Sequence, residues 1–276
     1  MNTTIQTIHF DRDALRKALS NAGIEPGDVL IVHSSMKSLG YVQGGPQTVI
    51  AAMQDVLTPR GTLLMPTFSL PQPDDLFRVG QTPSRTGLIT ETLRTTPGVV
   101  RSWHPTHSVT LWGANAQEWS EGHHLIGGLG VGSPFHRAAQ AGAKVLMIGC
   151  DMRTCSLVHV AEAVARVPQL GRIYYMSGHR VLDVLTPDGQ RLSIPPIDQP
   201  ACSAGFGIVQ ERLEAAGGID HHTIGQAHCL LFDAQEALQT AVDLLRDDPA
   251  VMLCNYSKCT VCPRAREYLA ELAVGG

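Results

Sequence analysis

The chain has 276 residues, 43% hydrophobic and 17% charged, with a formal charge of −4. Such a composition describes a globular protein able to bury a full core. The acidic balance argues against nucleic acid as the main partner, which would call for a basic surface, and no stretch approaches the 18 or so uninterrupted apolar residues of a membrane span. The first segment, MNTTIQTIHFDRDALRK, carries acids and has no apolar core of signal-peptide length, so we expect a cytoplasmic protein. Seven cysteines, an odd number in a chain this long, do not make a secreted disulfide framework, and most are expected to be reduced.

Taken in chain order, Asp11 and Asp13 precede a helical pattern that places Leu15, Ala18, Leu19 and Ala22 on one face, with Gly23 after it. A turn, EPGD, leads into the apolar run at 29–32, which reads as a buried strand. Pro46 suits the first position of a helix, and Val49, Ile50, Met53 and Leu57 then recur at helical spacing. A second turn, TPRG, leads into a strand at 62–65, completing a βαβ unit and predicting a parallel sheet there. Residues 66–83, PTFSLPQPDDLFRVGQTP, read as a long loop of the kind that is usually functional. A helix is expected at 86–94, strands at 109–112 and 144–148, and a helix at 156–167. Residues 172–194 alternate around the turn TPDG, which predicts an antiparallel hairpin. Helices at 211–216 and 234–245 follow. The expected architecture is one α/β domain over residues 1–276, a mostly parallel central sheet flanked by helices. It carries a small antiparallel, substrate-side insertion at about 170–200 and a cysteine-bearing tail at about 252–276.

Four groups of residues could carry chemistry. The strand-to-helix junction VHSSMKSLGYVQGG offers backbone N–H groups, the hydroxyls of Ser34, Ser35 and Ser38, and Lys37, a natural cradle for phosphates. The same residues also suit a polar turn that caps a helix. His159 and Glu162 lie three apart and share a helix face, where a carboxylate can orient an imidazole as a general base. A surface ion pair would show the same spacing. His104 and His107 could bind a metal or simply pack at a loop edge. Cys259 and Cys262 form a CxxC pair suited to two corners of a zinc tetrahedron, with Cys254 and the His123–His124 pair as candidates for completion.

The blocks VHSSMKSLGYVQGGP, GTLLMPTFS, PGVVRSWHPTHSV, GVGSPFHRA and SLVHVAEA, in this order, resemble the aminoglycoside 3-N-acetyltransferase family. The proline-rich loop, the hairpin and the cysteine-bearing tail look most like its apramycin- and gentamicin-acetylating branch. The resemblance implies that the serine-rich junction binds acetyl-CoA through Ser34, Ser35, Met36, Lys37 and Ser38, with His107, Ser108 and Ser133 lining the same groove. It also implies that His159 is the base and Glu162 its acid. The family usually has a hydroxyl residue two positions before that histidine, where Leu157 stands here.

An amine attacking a thioester must be neutral and must lose a proton as the C–N bond forms, which is the task His159 would perform. A polyamine substrate should be held by carboxylates, and Asp74, Asp75 and Asp198 are placed to supply them. The leading expectation is therefore acetyl transfer from acetyl-CoA to the 3-amino group of a 2-deoxystreptamine aminoglycoside, with zinc as a structural ion. One alternative is acylation of another amine in natural-product metabolism. Another is a zinc-dependent hydrolase built on His104, His107 and Glu162, and the last is a pure binding module.

Overall fold

The computed structural model describes residues 10–172, 181–195 and 202–275. In chain order the elements are α1 (Arg12–Asn21), β1 (Val29–Ser34), α2 (Gly45–Leu57), β2 (Thr62–Pro66), β3 (Leu76–Arg78), α3 (Leu88–Arg94), β4 (Val100–Arg101), β5 (Val109–Gly113), α4 (Ala116–Ser120), α5 (Pro134–Gln140), β6 (Lys144–Ile148), α6 (Ser156–Ala165), β7 (Leu182–Leu185), β8 (Arg191–Ile194), α7 (Gly207–Ala216), β9 (Asp220–Ile224), β10 (Ala227–Asp233), α8 (Ala234–Asp247) and α9 (Cys262–Gly275). Short 3-10 turns at Met36–Leu39, His123–Leu125 and Met152–Thr154 punctuate the connections. No helix among the described residues is long and apolar enough to cross a membrane.

The main sheet has seven strands in the order β4-β5-β2-β1-β6-β10-β9. The expectation of a mostly parallel sheet needs correction. Only β2–β1 and β1–β6 are parallel, while β5, β4, β10 and β9 join antiparallel. The parallel core follows from the βαβ unit, whereas β9 and β10 return on themselves through a tight turn at Gly225, whose φ is +63°.

Alternation along the central strands sends side chains to two cores. Leu30 and Val32, with Leu63, Met65, Leu146 and Ile148, pack with residues of α1, α2 and α3. Ile31, Leu64, Val145 and Met147 pack with residues of α5, α6, α7 and α8 on the other face. Both faces of these strands are therefore covered, which is why they read as continuous apolar runs. The same alternation puts His33 on the face of Ile31, where it stacks on Phe135 of α5 with ring centroids 6.2 Å apart.

The insertion is also corrected. It is a three-stranded mixed sheet, β3-β7-β8, in which the predicted hairpin β7–β8 is antiparallel and β3 adds parallel to β7. Strand β3 comes from the middle of the segment expected to be loop. Its alternation is too short to stand out, yet Phe77 is buried against Val184 and Ile194. The guanidinium of Arg101 ties this unit to the main sheet. It donates to the carbonyls of Val79 (3.0 Å), Thr82 (2.5 Å) and Thr67 (2.9 Å) and to Ser108 Oγ (3.0 Å), and it lies 4.7 Å from the centre of the Phe77 ring.

Candidate active site and metal centre

The three parallel strands end at the same edge, and the chain leaving each of them lines one cavity of about 330 Å³. His33 and Ser34 come from the end of β1, Pro66 and Phe68 from β2, and Cys150 through His159 from the turn and helix after β6. A crevice at the carboxyl ends of parallel strands is where open α/β sheets place their ligands. His159 also lines a second cavity of about 420 Å³, whose other wall is the loop from Gly127 to Val131. The imidazole thus stands between two spaces.

Helix α6 brings His159 and Glu162 onto one face, and His159 Nδ1 donates to Glu162 Oε2 at 2.8 Å. Because a carboxylate accepts only, the proton sits on Nδ1 and leaves Nε2 as the basic nitrogen. Both side chains are largely buried, at 11% and 13% exposed, which sets them apart from an ordinary helix-surface ion pair. The Phe206 ring, fully buried at the start of α7, meets the imidazole edge-on with centroids 4.6 Å apart. Leu157, the departure from the usual family hydroxyl, is buried in the core on this side of the sheet.

The start of α6 has no cap from its own N-cap residue, Cys155. The Ser156 amide instead donates to Nε2 of His33 at 3.4 Å. Burial pushes the His33 imidazole down to about 4, so it is neutral and can accept that bond. His33 was not singled out by sequence reasoning, since a lone histidine inside an apolar strand carries no motif.

The residues expected to hold the coenzyme separate on inspection. Ser34 lines the cavity with His159, and its Oγ is buried without a hydrogen-bond partner among the described residues. Ser38 Oγ donates to Ser35 Oγ at 3.0 Å and lies 3.3 Å from the Gly149 carbonyl, while Met36 packs on the core and Lys37 is exposed. Gly149 has φ +62°, and a Cβ there would fall 2.2 Å from that of Ser38, so only glycine allows this close approach. His107 is buried beside Phe68, with ring centroids 4.8 Å apart. Ser108 is buried, donating to the Thr67 carbonyl at 2.7 Å and accepting from Arg101. Ser133 is the buried N-cap of α5, accepting from the His136 amide at 3.4 Å.

Of the acids expected to hold an amine, Asp74 is bound to Arg78 at 2.7 Å, and that hydrogen bond holds its carboxyl below the usual range. The Asp75 carbonyl accepts from the Asp183 amide at 2.8 Å, tying the loop to β7. Neither lines a cavity that contains His159. Asp198 lies outside the described residues.

The residues expected to hold a metal are brought together in part. Cys254, Cys259 and Cys262 do converge, but the fourth thiol is Cys202, with all four Sγ atoms within 4.8 Å of one another. Four thiolates on one zinc ion lie about 3.8 Å apart when each Zn–S bond is near 2.3 Å, and Cys202 and Cys254 already stand 3.7 Å apart. The donor set fits zinc. The Cys262 amide donates to Cys259 Sγ at 3.4 Å, and backbone donation of this kind brings the Cys259 thiol down to about 7. Burial pushes Cys202 up to about 11 and Cys262 higher still, so a cation is needed before all four can be thiolates. His124 stands apart from this cluster: it packs on Trp103 with centroids 5.5 Å apart and lines a separate cavity with Glu121. His123 is buried and bonded to Ser102 Oγ and the Gly128 carbonyl, each at 2.8 Å. Sequence spacing could not find Cys202, which stands alone 52 residues before Cys254.

The alternative metal site for a hydrolase does not assemble. His104 Nδ1 accepts from the His107 amide at 3.0 Å, and the four cysteines are the only group of three or more candidate ligands found among the described residues.

A buried histidine–carboxylate pair thus stands between two cavities at the carboxyl ends of parallel strands, where sheets of this kind place their ligands. The family described as aminoglycoside 3-N-acetyltransferase matches residues 31–246, and the chain belongs to it; it is an acyltransferase. An aminoglycoside N(3)-acetyltransferase III from Salmonella is 30% identical over 259 residues, which cover 85% of this chain and 91% of the relative. The structure of AAC-IIIb with CoASH superposes with a TM-score of 0.77 at 29% identity, covering 87% of this chain and 97% of that one. A histidine-to-alanine variant of AAC(3)-IVa in complex with a gentamicin superposes at 0.83 with 26% identity, covering 95% of this chain and 99% of that one.

Proposed function

We propose that the protein transfers acetyl from acetyl-CoA to the 3-amino group of a 2-deoxystreptamine aminoglycoside, directly and with His159 as general base. The observation that carries this reading is the buried His159–Glu162 pair between two cavities in a chain of this family. In the reaction, a neutral amine attacks the thioester carbonyl and passes its proton to His159 Nε2. Glu162 keeps the other proton on Nδ1 and stabilises the imidazolium that forms. The C–S bond then breaks, the imidazolium passes its proton to the leaving thiolate, and the coenzyme departs as a thiol with the base restored. Ser34, whose hydroxyl has no partner among the described residues, is positioned to donate to the carbonyl oxygen as it becomes an oxyanion. Carboxylates of the insertion and its neighbouring loops, Asp75 and Asp198 among them, would receive the ammonium groups of the substrate. The four cysteines would hold zinc, which ties the tail to the segment bearing Phe206 and takes no part in the chemistry.

Within the family, the branch that acetylates apramycin and gentamicin is supported by the cysteine-bearing tail. Coverage points the same way, at 95% of this chain by AAC(3)-IVa against 87% by AAC-IIIb. The reaction would proceed in the cytoplasm, where acetyl-CoA is made, and would confer resistance.

The test is release of coenzyme thiol by the purified protein, with acetyl-CoA and a panel that includes apramycin and gentamicin. His159→Ala should lower kcat by about 10²–10⁴ while CoA still binds. Turnover with no aminoglycoside in the panel, alongside turnover of a simple amine, would favour a biosynthetic acyltransferase instead.

A further inference from the structure

A hydrogen bond at one atom fixes where Nδ1 of His159 lies but lets the imidazole pivot about that bond, so Glu162 alone does not aim Nε2. A second restraint comes from the Phe206 ring. It is fully buried, its centre lies 4.6 Å from that of the imidazole with the two planes 69° apart, and it closes one side of the pivot.

Phe206 is the N-cap of α7 and offers that helix no side-chain bond, whereas α1, α5 and α8 are capped by Asp11, Ser133 and Asp233. The turn that carries it is held from the C-terminal tail instead, at two points. The thiol of Cys202 stands 3.7 Å from that of Cys254 in the four-cysteine cluster. Further on, Gly205 lies so close to Met252 that a Cβ would fall 2.1 Å from its carbonyl oxygen. The Phe206 amide closes the turn by donating to the Ser203 carbonyl at 3.1 Å, and Ser203 lines one cavity with His159. Arg266 of α9 braces the tail side. Its Nη2 donates to the carbonyls of Leu253 (2.6 Å) and Cys254 (3.0 Å) and to Asn255 Oδ1 (2.9 Å).

We propose that Phe206 is a positioning residue for His159, and that the four cysteines, with zinc bound, hold it against the imidazole. This rests on the reading of His159 as the base. The metal touches no reacting atom; it acts by removing the freedom of one turn. Without it, only weak S–H contacts join Cys202 to the other three sulfurs. The turn then loses one of its two anchors, and the imidazole loses the wall that limits its pivot. Displacing a catalytic group by about 1 Å can cost roughly a hundredfold in rate.

Comparison of Phe206→Leu with Val209→Ala separates positioning from packing. The first keeps apolar bulk but removes the ring, and the second thins the same core on the same helix. Both should lower the melting temperature. Only Phe206→Leu should lower kcat, by roughly ten- to hundredfold, with the KM for acetyl-CoA within about twofold. Cys202→Ser should lower kcat in the same way, yet by less than about twofold when added to Phe206→Leu, because both act through one ring. The proton on His159 Nδ1 gives a second readout by NMR, assigned by its absence in His159→Gln. It should exchange with water faster in Phe206→Leu and in wild-type protein stripped of zinc by a chelator. Phe206→Leu with kcat within about twofold of wild type overturns the inference, as does an equal fall in Val209→Ala. So do losses that multiply in the double variant, or a His159 proton indifferent to metal removal. The NMR arm needs no substrate. A wild type that transfers no acetyl group but shows the expected exchange therefore sinks the acetyl-CoA reading and leaves the positioning of His159 standing.

Discussion

Three histidines buried around the active-site edge should make the fold acid-labile well above the range in which carboxylates titrate. His33 and His123 are fully enclosed, and burial lowers each to about 4, while His104 is lowered well below its ordinary value for the same reason. In the unfolded chain a histidine titrates near 6.5. Between pH 6.5 and 4 the unfolded state therefore binds protons that the folded state refuses, and stability falls as pH falls through that window. For a histidine displaced from 6.5 to about 4, the linkage integral between pH 7 and pH 5 comes to about 2 kcal/mol. His33 and His123 together should thus remove about 4 kcal/mol, and His104 should add to it. That is a large share of the roughly 5–15 kcal/mol that holds a typical domain together. Urea unfolding at pH 7, 6 and 5, with the slope m held common, would measure it. His33→Gln, which keeps an acceptor for the Ser156 amide, should be less stable at pH 7 and show a pH dependence smaller by about 2 kcal/mol over the same range. A wild-type loss below about 1 kcal/mol between pH 7 and 5 would refute the reasoning, because buried neutral imidazoles cannot avoid that cost.

Arg101→Met should destabilise the fold by about 3 kcal/mol, since the carbonyls of Val79 and Thr82 lose this donor and that of Thr67 keeps only Ser108 Oγ; urea denaturation measures it, and a cost below 1 kcal/mol would mean water replaces the guanidinium. Protein purified without added zinc should contain about one equivalent of metal, measured by atomic emission. Cys202→Ser should reduce that content and lower the melting temperature, whereas His124→Ala should leave the metal in place. Glu162→Gln keeps an acceptor for His159 Nδ1 but removes the negative charge, so kcat should fall by roughly tenfold or more while the KM for acetyl-CoA changes little; an equal change in both constants would assign Glu162 to binding instead.

Local pattern was enough to find the βαβ unit, the strand at 144–148 and helix α6, because each pairs a clear hydrophobic period with a turn signal at its ends. The His159–Glu162 pair was legible for a related reason. Three residues along a helix is a distance that covalent geometry fixes, whatever surrounds it. Hairpin β9–β10 was missed because its first strand, DHHTI, faces solvent over most of its length and shows no apolar alternation. Strand β3 was missed because three residues are too few to show a period.

What the sequence determined by itself is what short-range geometry determines: the class of fold, the helical dyad, the CxxC pair and the hydroxyl-rich junction. The tertiary structure decided the rest. It brought Cys202 to within 3.7 Å of Cys254, 52 residues away, and it put that cysteine, not His124, in the four-thiol cluster. It set His33 beneath the start of α6, buried Ser108 and Ser133 in internal hydrogen bonds, and left Ser34 at the cavity. Each of these depends on contacts between segments far apart in the chain. Such contacts are fixed by the packing of whole layers against one another, and no local period or spacing in a single sequence records that packing.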